Sequence, residues 1–81
     1  MENIKHLEKV LKALGSRRRL AIIKYLIKER EANVANISEN INLSFKSTSR
    51  HLSVLKQLDI SDSRQQNLNV FYRISETKPK L

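Results

Sequence analysis

Only Asn42, Leu43 and Ser44 separate two stretches whose apolar positions recur every three or four residues, and that short gap constrains the chain more than any other feature. Upstream of it, Val34, Ile37 and Ile41 mark one face of a short helix over about 34–41. Asn42 follows, the best residue after glycine for a left-handed turn of backbone. Downstream, Ser44 is placed to cap a longer helix with Phe45, Thr48, Leu52, Leu55 and Leu58 along one side. Helix, tight turn and helix in this order make a helix-turn-helix.

Two further helices precede it. Ile4, Leu7, Val10, Leu11 and Leu14 predict a helix over 3–14, with Asn3 as its cap and Gly15 closing it in a left-handed conformation. A second runs from Ser16 to about Glu29, with Leu20, Ile22, Ile23, Leu26 and Ile27 apolar. Arg17, Arg18 and Arg19 sit in its first turn, against the positive end of the helix dipole, where a nearby anion would ease them. After a polar break at 30–33 comes the helix-turn-helix. Beyond Asp59 the character changes. Leu68 to Ile74 alternates and is rich in β-branched and aromatic residues, and a polar tip at Arg64, Gln65, Gln66 and Asn67 precedes it. These features predict a β-hairpin, with Asn67 supplying positive φ at the turn. The fold expected is mainly α with a small β-hairpin (α+β), a winged helix-turn-helix of four helices and a two-stranded wing. One domain would fill residues 1–75, and the polar 76–81 is expected to be a disordered tail.

Composition narrows the function. The 81 residues carry 16 Lys+Arg against 8 Asp+Glu, a formal charge of +8, and such a small basic domain attracts polyanions, nucleic acid above all. No cysteine is present, so disulfides, thiolate metal sites and a cysteine nucleophile are excluded. Leu20 to Ile23 is the longest apolar run, far too short for a membrane span, and the first ten residues hold no signal-peptide core; a cytoplasmic protein is expected. Neither a phosphate loop, a Ser-His-Asp arrangement nor a metal-ligand cluster is visible, so no enzyme, cofactor or metal site is expected.

Residues 43–55, LSFKSTSRHLSVL, are similar to the LSQSTVSRHLKVL recognition-helix signature of the ArsR-type (arsenical-resistance repressor) transcription regulators. Residues 11–20, LKALGSRRRL, resemble that family's LKALADPTRL stretch, and 64–67 with 70–74 (RQQN and VFYRI) stand where it has its RREG and VYYRL wing. Three motifs in the right order span nearly the whole chain. Asn33, Val34 and Ala35 replace the CVC motif of the metal-sensing members, and the two histidines, His6 and His51, have no ligand company, so metal sensing is not expected; a small-molecule effector is either absent or unknown from the sequence, a ligand in the dimer interface staying open. Asn42, Asp59 and Asn67 stand at family glycine positions, each tolerant of left-handed φ.

The resemblance implies a repressor that occludes its operator on double-stranded DNA, reading it through a recognition helix at about 44–58 and a wing at about 62–74. On the recognition helix Lys46, Ser47, Ser49 and Arg50 are the polar candidates, Arg50 having the fork that fits guanine O6 and N7. Arg64 and Gln65 on the wing, with Arg19 and Arg73, are the further candidates for phosphate or groove contact. For each of these a solvated, salt-bridged or capping role stays open. His51 is read as packing against a neighbouring helix, and Phe45 as a core or staple residue rather than a contact to a thymine methyl. The family dimerises through its first and last helices, which assigns Ile4, Leu7, Val10, Leu11 and Leu14 to a homodimer interface; the alternative is that this face covers the protomer's own core. A protein–protein module and a structured-RNA binder remain the alternative functions.

Overall fold

The computed structural model describes residues 2–76. Helix α1 covers Glu2–Leu14, α2 Arg17–Glu29, α3 Val34–Ile41 and α4 Phe45–Gln57; strands β1 (Ala32–Asn33), β2 (Ser61–Gln66) and β3 (Asn69–Ile74) complete the chain. This is a winged helix-turn-helix, mostly helical. No helix among these residues is long and apolar enough to cross a membrane. The predicted tail falls almost wholly outside the described residues.

Side-chain oxygens start three helices where polar residues precede apolar periodicity. The Ser16 hydroxyl accepts from the Arg19 N–H at 3.3 Å, Asn33 Oδ1 from Asn36 N–H at 2.8 Å, and the Ser44 hydroxyl from Ser47 N–H at 3.1 Å. Two helices end alike. After α3, Asn42 turns left-handed at φ 56°, and the Leu43 N–H reaches back to the Ser38 carbonyl at 3.0 Å. After α4, Asp59 does so at φ 58°, and the Ile60 N–H reaches the Leu55 carbonyl at 2.9 Å. Both are Schellman closures built without glycine. Asn67 supplies φ 57° at the hairpin turn, as expected.

Three details differ from the sequence reading. Asn3 lies inside α1, which already begins at Glu2, and so is not its cap. Gly15 ends α1 through its N–H to the Leu11 and Lys12 carbonyls, at 2.9 and 3.2 Å, without positive φ. Positive φ appears instead at the end of the next helix, on Arg30 at φ 70°, outside the left-handed helical region and strained for a residue with a β-carbon. The wing is also larger than a two-stranded hairpin. Ala32 and Asn33 pair antiparallel with Tyr72 and Phe71, giving a three-stranded sheet in the order β1-β3-β2.

The core lies where α2, α3, α4 and the sheet meet. Ile22, Leu26, Ile37, Leu52 and Leu55 are fully buried there, joined by Ala32, Val34, Ile41 and Tyr72. Each large aliphatic side chain so buried contributes about 1.5–3 kcal/mol, which makes the inner faces of α3 and α4 the main anchor of the helix-turn-helix. Thr48 and Ser61 are buried beside them with hydroxyls that have no partner among the described residues. α1 packs on α2 and buries Val10 and Ala13.

Candidate nucleic-acid interface

Since Thr48, Leu52 and Leu55 turn inward, helical geometry sends Lys46, Ser49, Arg50 and Ser53 outward. With Phe45 and Val54 they line one shallow, open groove along the outer side of α4. Residues four apart stack in rows, Phe45–Ser49–Ser53 beside Lys46–Arg50, so both cations share a surface with a neutral strip. Among the described residues neither the Lys46 nor the Arg50 side chain makes a hydrogen bond or an ion pair. Ser47 is half-buried beside them, its N–H taken by the Ser44 cap.

Phe45 corrects the sequence reading. Its place on the apolar stripe predicts packing, yet the ring is 59% exposed. It is the first residue of α4, and Thr48, one turn on, is the first to be buried. The first turn therefore overhangs the core. The signal was present in the sequence, because an apolar residue directly after a cap has only half a turn of helix beneath it.

A side chain from another helix holds the turn that aims α4. Arg18 donates to the Ile41 carbonyl at 2.9 Å, at the C-terminal end of α3, and lies 3.5 Å from the Asn42 carbonyl. This relieves the cation-rich start of α2: the negative end of one helix dipole answers charge crowded at the positive end of another. Arg19, expected to reach phosphate, is half-buried in a cleft with Lys9, Lys12, Ala13, Val54, Gln57 and Leu58, between α1 and the second half of α4. It is not part of the α4 groove. His51 lies close to both arginines. Burial first, then the charges of Arg19 and Arg18, holds its pKa below the ordinary histidine value.

On the wing, Arg64 is engaged. Its Nη2 and Nε donate to the two carboxylate oxygens of Glu31 at 2.7 and 2.9 Å, and Nη1 donates to Gln66 Oε1 at 2.8 Å. The guanidinium carbon stands 4.8 Å from the centre of the Phe71 ring. These hydrogen bonds hold the Glu31 carboxyl below its ordinary range, against a smaller opposing effect of burial. Gln65 is exposed near the tip, its amide 3.4 Å from the Asn67 carbonyl. Arg73, the other arginine of the sheet, sits at the opposite end of β3. There it pairs with Glu76 at 3.7 Å and lines a depression with Leu26, Ile27, Arg30, Glu31 and Ile74, away from the α4 groove.

The face expected for dimerisation divides. Ile4 and Leu11 are 63% and 58% exposed and border a shallow groove with Leu7, Glu8 and Lys12. Leu14 is half-buried. Val10 is only 4% exposed: it faces the protomer's own helices and does not belong to the outer surface.

The model of the bacterial regulatory protein arsR family matches residues 16–60, from the α2 cap through the turn after α4. The chain belongs to the arsR family. Among its relatives, the transcriptional activator HlyU of Vibrio cholerae is 34% identical over 71 residues, which cover 88% of this chain and 65% of that protein. The cadmium resistance transcriptional regulatory protein CadC of Listeria innocua is 37% identical over 67 residues, 83% of this chain and 56% of CadC. The chain thus spans less than two thirds of the length of either. The solved structure of reduced HlyU superposes with a TM-score of 0.82 at 32% identity, covering 98% of this chain and 82% of that one. A homodimeric winged helix-turn-helix DNA-binding domain from Mycobacterium bovis gives a TM-score of 0.82 at 28% identity, covering 89% of this chain and 66% of the other.

Proposed function

We propose that this arsR-family chain is a cytoplasmic, non-enzymatic transcription regulator that binds double-stranded DNA as a homodimer and represses by occluding its operator. The observation that carries the reading is the outer face of α4, where Lys46 and Arg50 stand exposed and unpaired on the second helix of a helix-turn-helix. In such motifs the N-terminal turns of that helix enter the major groove. Arg50 reads a guanine, Lys46 and Ser49 contact base edges or phosphate, and the Ser47 region meets the backbone at the helix start. Gln65 at the wing tip supplies a second contact. Arg64 adds a third once it exchanges Glu31 for a phosphate.

The homodimer places two such helices about one turn of DNA apart, roughly 34 Å. The exposed Ile4 and Leu11, with Leu7, offer the apolar surface for it, and the homodimeric M. bovis domain supports that assembly. Titration of a promoter duplex at a series of salt concentrations tests the reading. With five or six phosphates neutralised, the log–log slope should be about −5, at roughly 0.9 per phosphate. Arg50→Ala should abolish the preference for one duplex over others. Absence of retardation on any duplex at low salt would sink the proposal in favour of a protein–protein module. A double-stranded RNA competitor that outbids DNA would do so in favour of RNA.

A further inference from the structure

We infer that Phe45 is a specificity-determining residue that reads the C5-methyl group of a thymine in the major groove; the inference rests on the DNA-binding reading above. Several large apolar side chains are exposed among the described residues, and of these Phe45, at 59%, is the one that stands on α4, on the face that carries Lys46 and Arg50. It is the first residue of α4, directly after the Ser44 cap, on the turn that leads into the groove. Ser49 stands next in its row and Ser53 beyond it, both too small to cover the ring. Lys46 and Arg50 flank that row.

An apolar ring framed by two unpaired cations is a poor match for an apolar protein surface, which would have to desolvate both charges. It is a good match for a polyanion that displays an apolar group. Among base edges in the major groove, thymine alone does so, through its methyl; the other edges offer donors and acceptors that a phenyl ring would leave unpaired. A ring acting as a wedge between base steps would be indifferent to that methyl.

The test uses the 81-residue chain to enrich duplexes from a randomised pool, then replaces each thymine of the enriched site, one at a time, by deoxyuridine, which removes the methyl and nothing else. One thymine per half-site should show a loss of affinity of about fourfold for each methyl removed. The same replacement should have no effect on Phe45→Ala and an intermediate effect on Phe45→Leu, while both variants keep the thermal transition of the parent. A site with no methyl-sensitive thymine, or a methyl effect that persists in Phe45→Ala, overturns the assignment and leaves the regulator reading standing. A pool from which no duplex enriches overturns both.

Discussion

Arg50 on α4 and Arg64 on the wing are both surface arginines, and their circumstances are opposite. Arg50 has no partner among the described residues. Arg64 is held by both oxygens of Glu31, by Gln66 and by the Phe71 ring. The same contrast separates Lys46 from Arg18, whose guanidinium caps α3. The formal charge of +8 already sets Glu31 against Arg64, but the positive charge is not all equally free to meet a polyanion. Part of it is spent joining segments distant in sequence: Arg64 ties β2 to the loop after α2, and Arg18 ties α2 to the turn before α4. On the outer face of α4, by contrast, the side chains of both cations, Lys46 and Arg50, have no partner among the described residues.

The strongest attempt to break this contrast is to remove the free cation. Arg50→Ala should cost about 1–3 kcal/mol of binding to the preferred duplex and little on others, measured by competitive retardation. It should leave the thermal transition unchanged, and a large fall in Tm would mean that Arg50 has a partner after all. Arg18→Ala should do the reverse. It strips the carbonyl end of α3 of its donor and should lower stability by about 1 kcal/mol, roughly 4–8 °C in a domain of this size. Glu31→Gln sharpens the contrast from the wing side. Removing the competing carboxylate should tighten duplex binding, and Arg64→Ala should make the log–log salt slope shallower by roughly 0.9; an unchanged slope in Arg64→Ala would show that Arg64 does not reach DNA.

Acid should release Arg64 as well. Glu31 has a lowered pKa in the folded chain, first through the bonds from Arg64, so its contribution to stability is complete above the ordinary glutamate range and lost as pH falls through the lowered value. Tm profiles of the parent and Glu31→Gln should converge at low pH. The smallest effect concerns His51. Its folded pKa is lowered, by burial and then by Arg19 and Arg18, so the unfolded chain takes up the proton first. Stability should slip as pH falls through the ordinary histidine range towards the lowered value, and His51→Gln should flatten that slope.

Much of the architecture was legible because it is written in local chemistry. Ser16 and Ser44 announce helix starts, Asn42, Asp59 and Asn67 announce left-handed turns, and the stripe of Thr48, Leu52 and Leu55 gives α4 its inner and outer faces. The outward placement of Lys46, Ser49 and Arg50 follows from that stripe. What escaped depends on neighbours far along the chain. A two-residue strand has no periodicity, and the partners of Ala32 and Asn33 lie about forty residues away. The Arg64–Glu31 pair spans 33 positions, and nothing near Arg64 signals it. Val10 belongs to the same helical stripe as Leu7 and Leu14, and periodicity alone does not divide a stripe between a protomer's own core and an outer surface.

Asn33 ends β1, pairs with Phe71 of the wing, and caps the first turn of α3. One residue is thus the joint between a lever and the block it is bolted to. A sideways load on the hairpin cannot be absorbed by a slack linker. It passes through Asn33 into α3 and, by way of the three-residue turn 42–44, into the pitch of α4. Wing and α4 in this chain are thus linked through Asn33 and α3, and a bend in the wing would be felt at the outer face of α4.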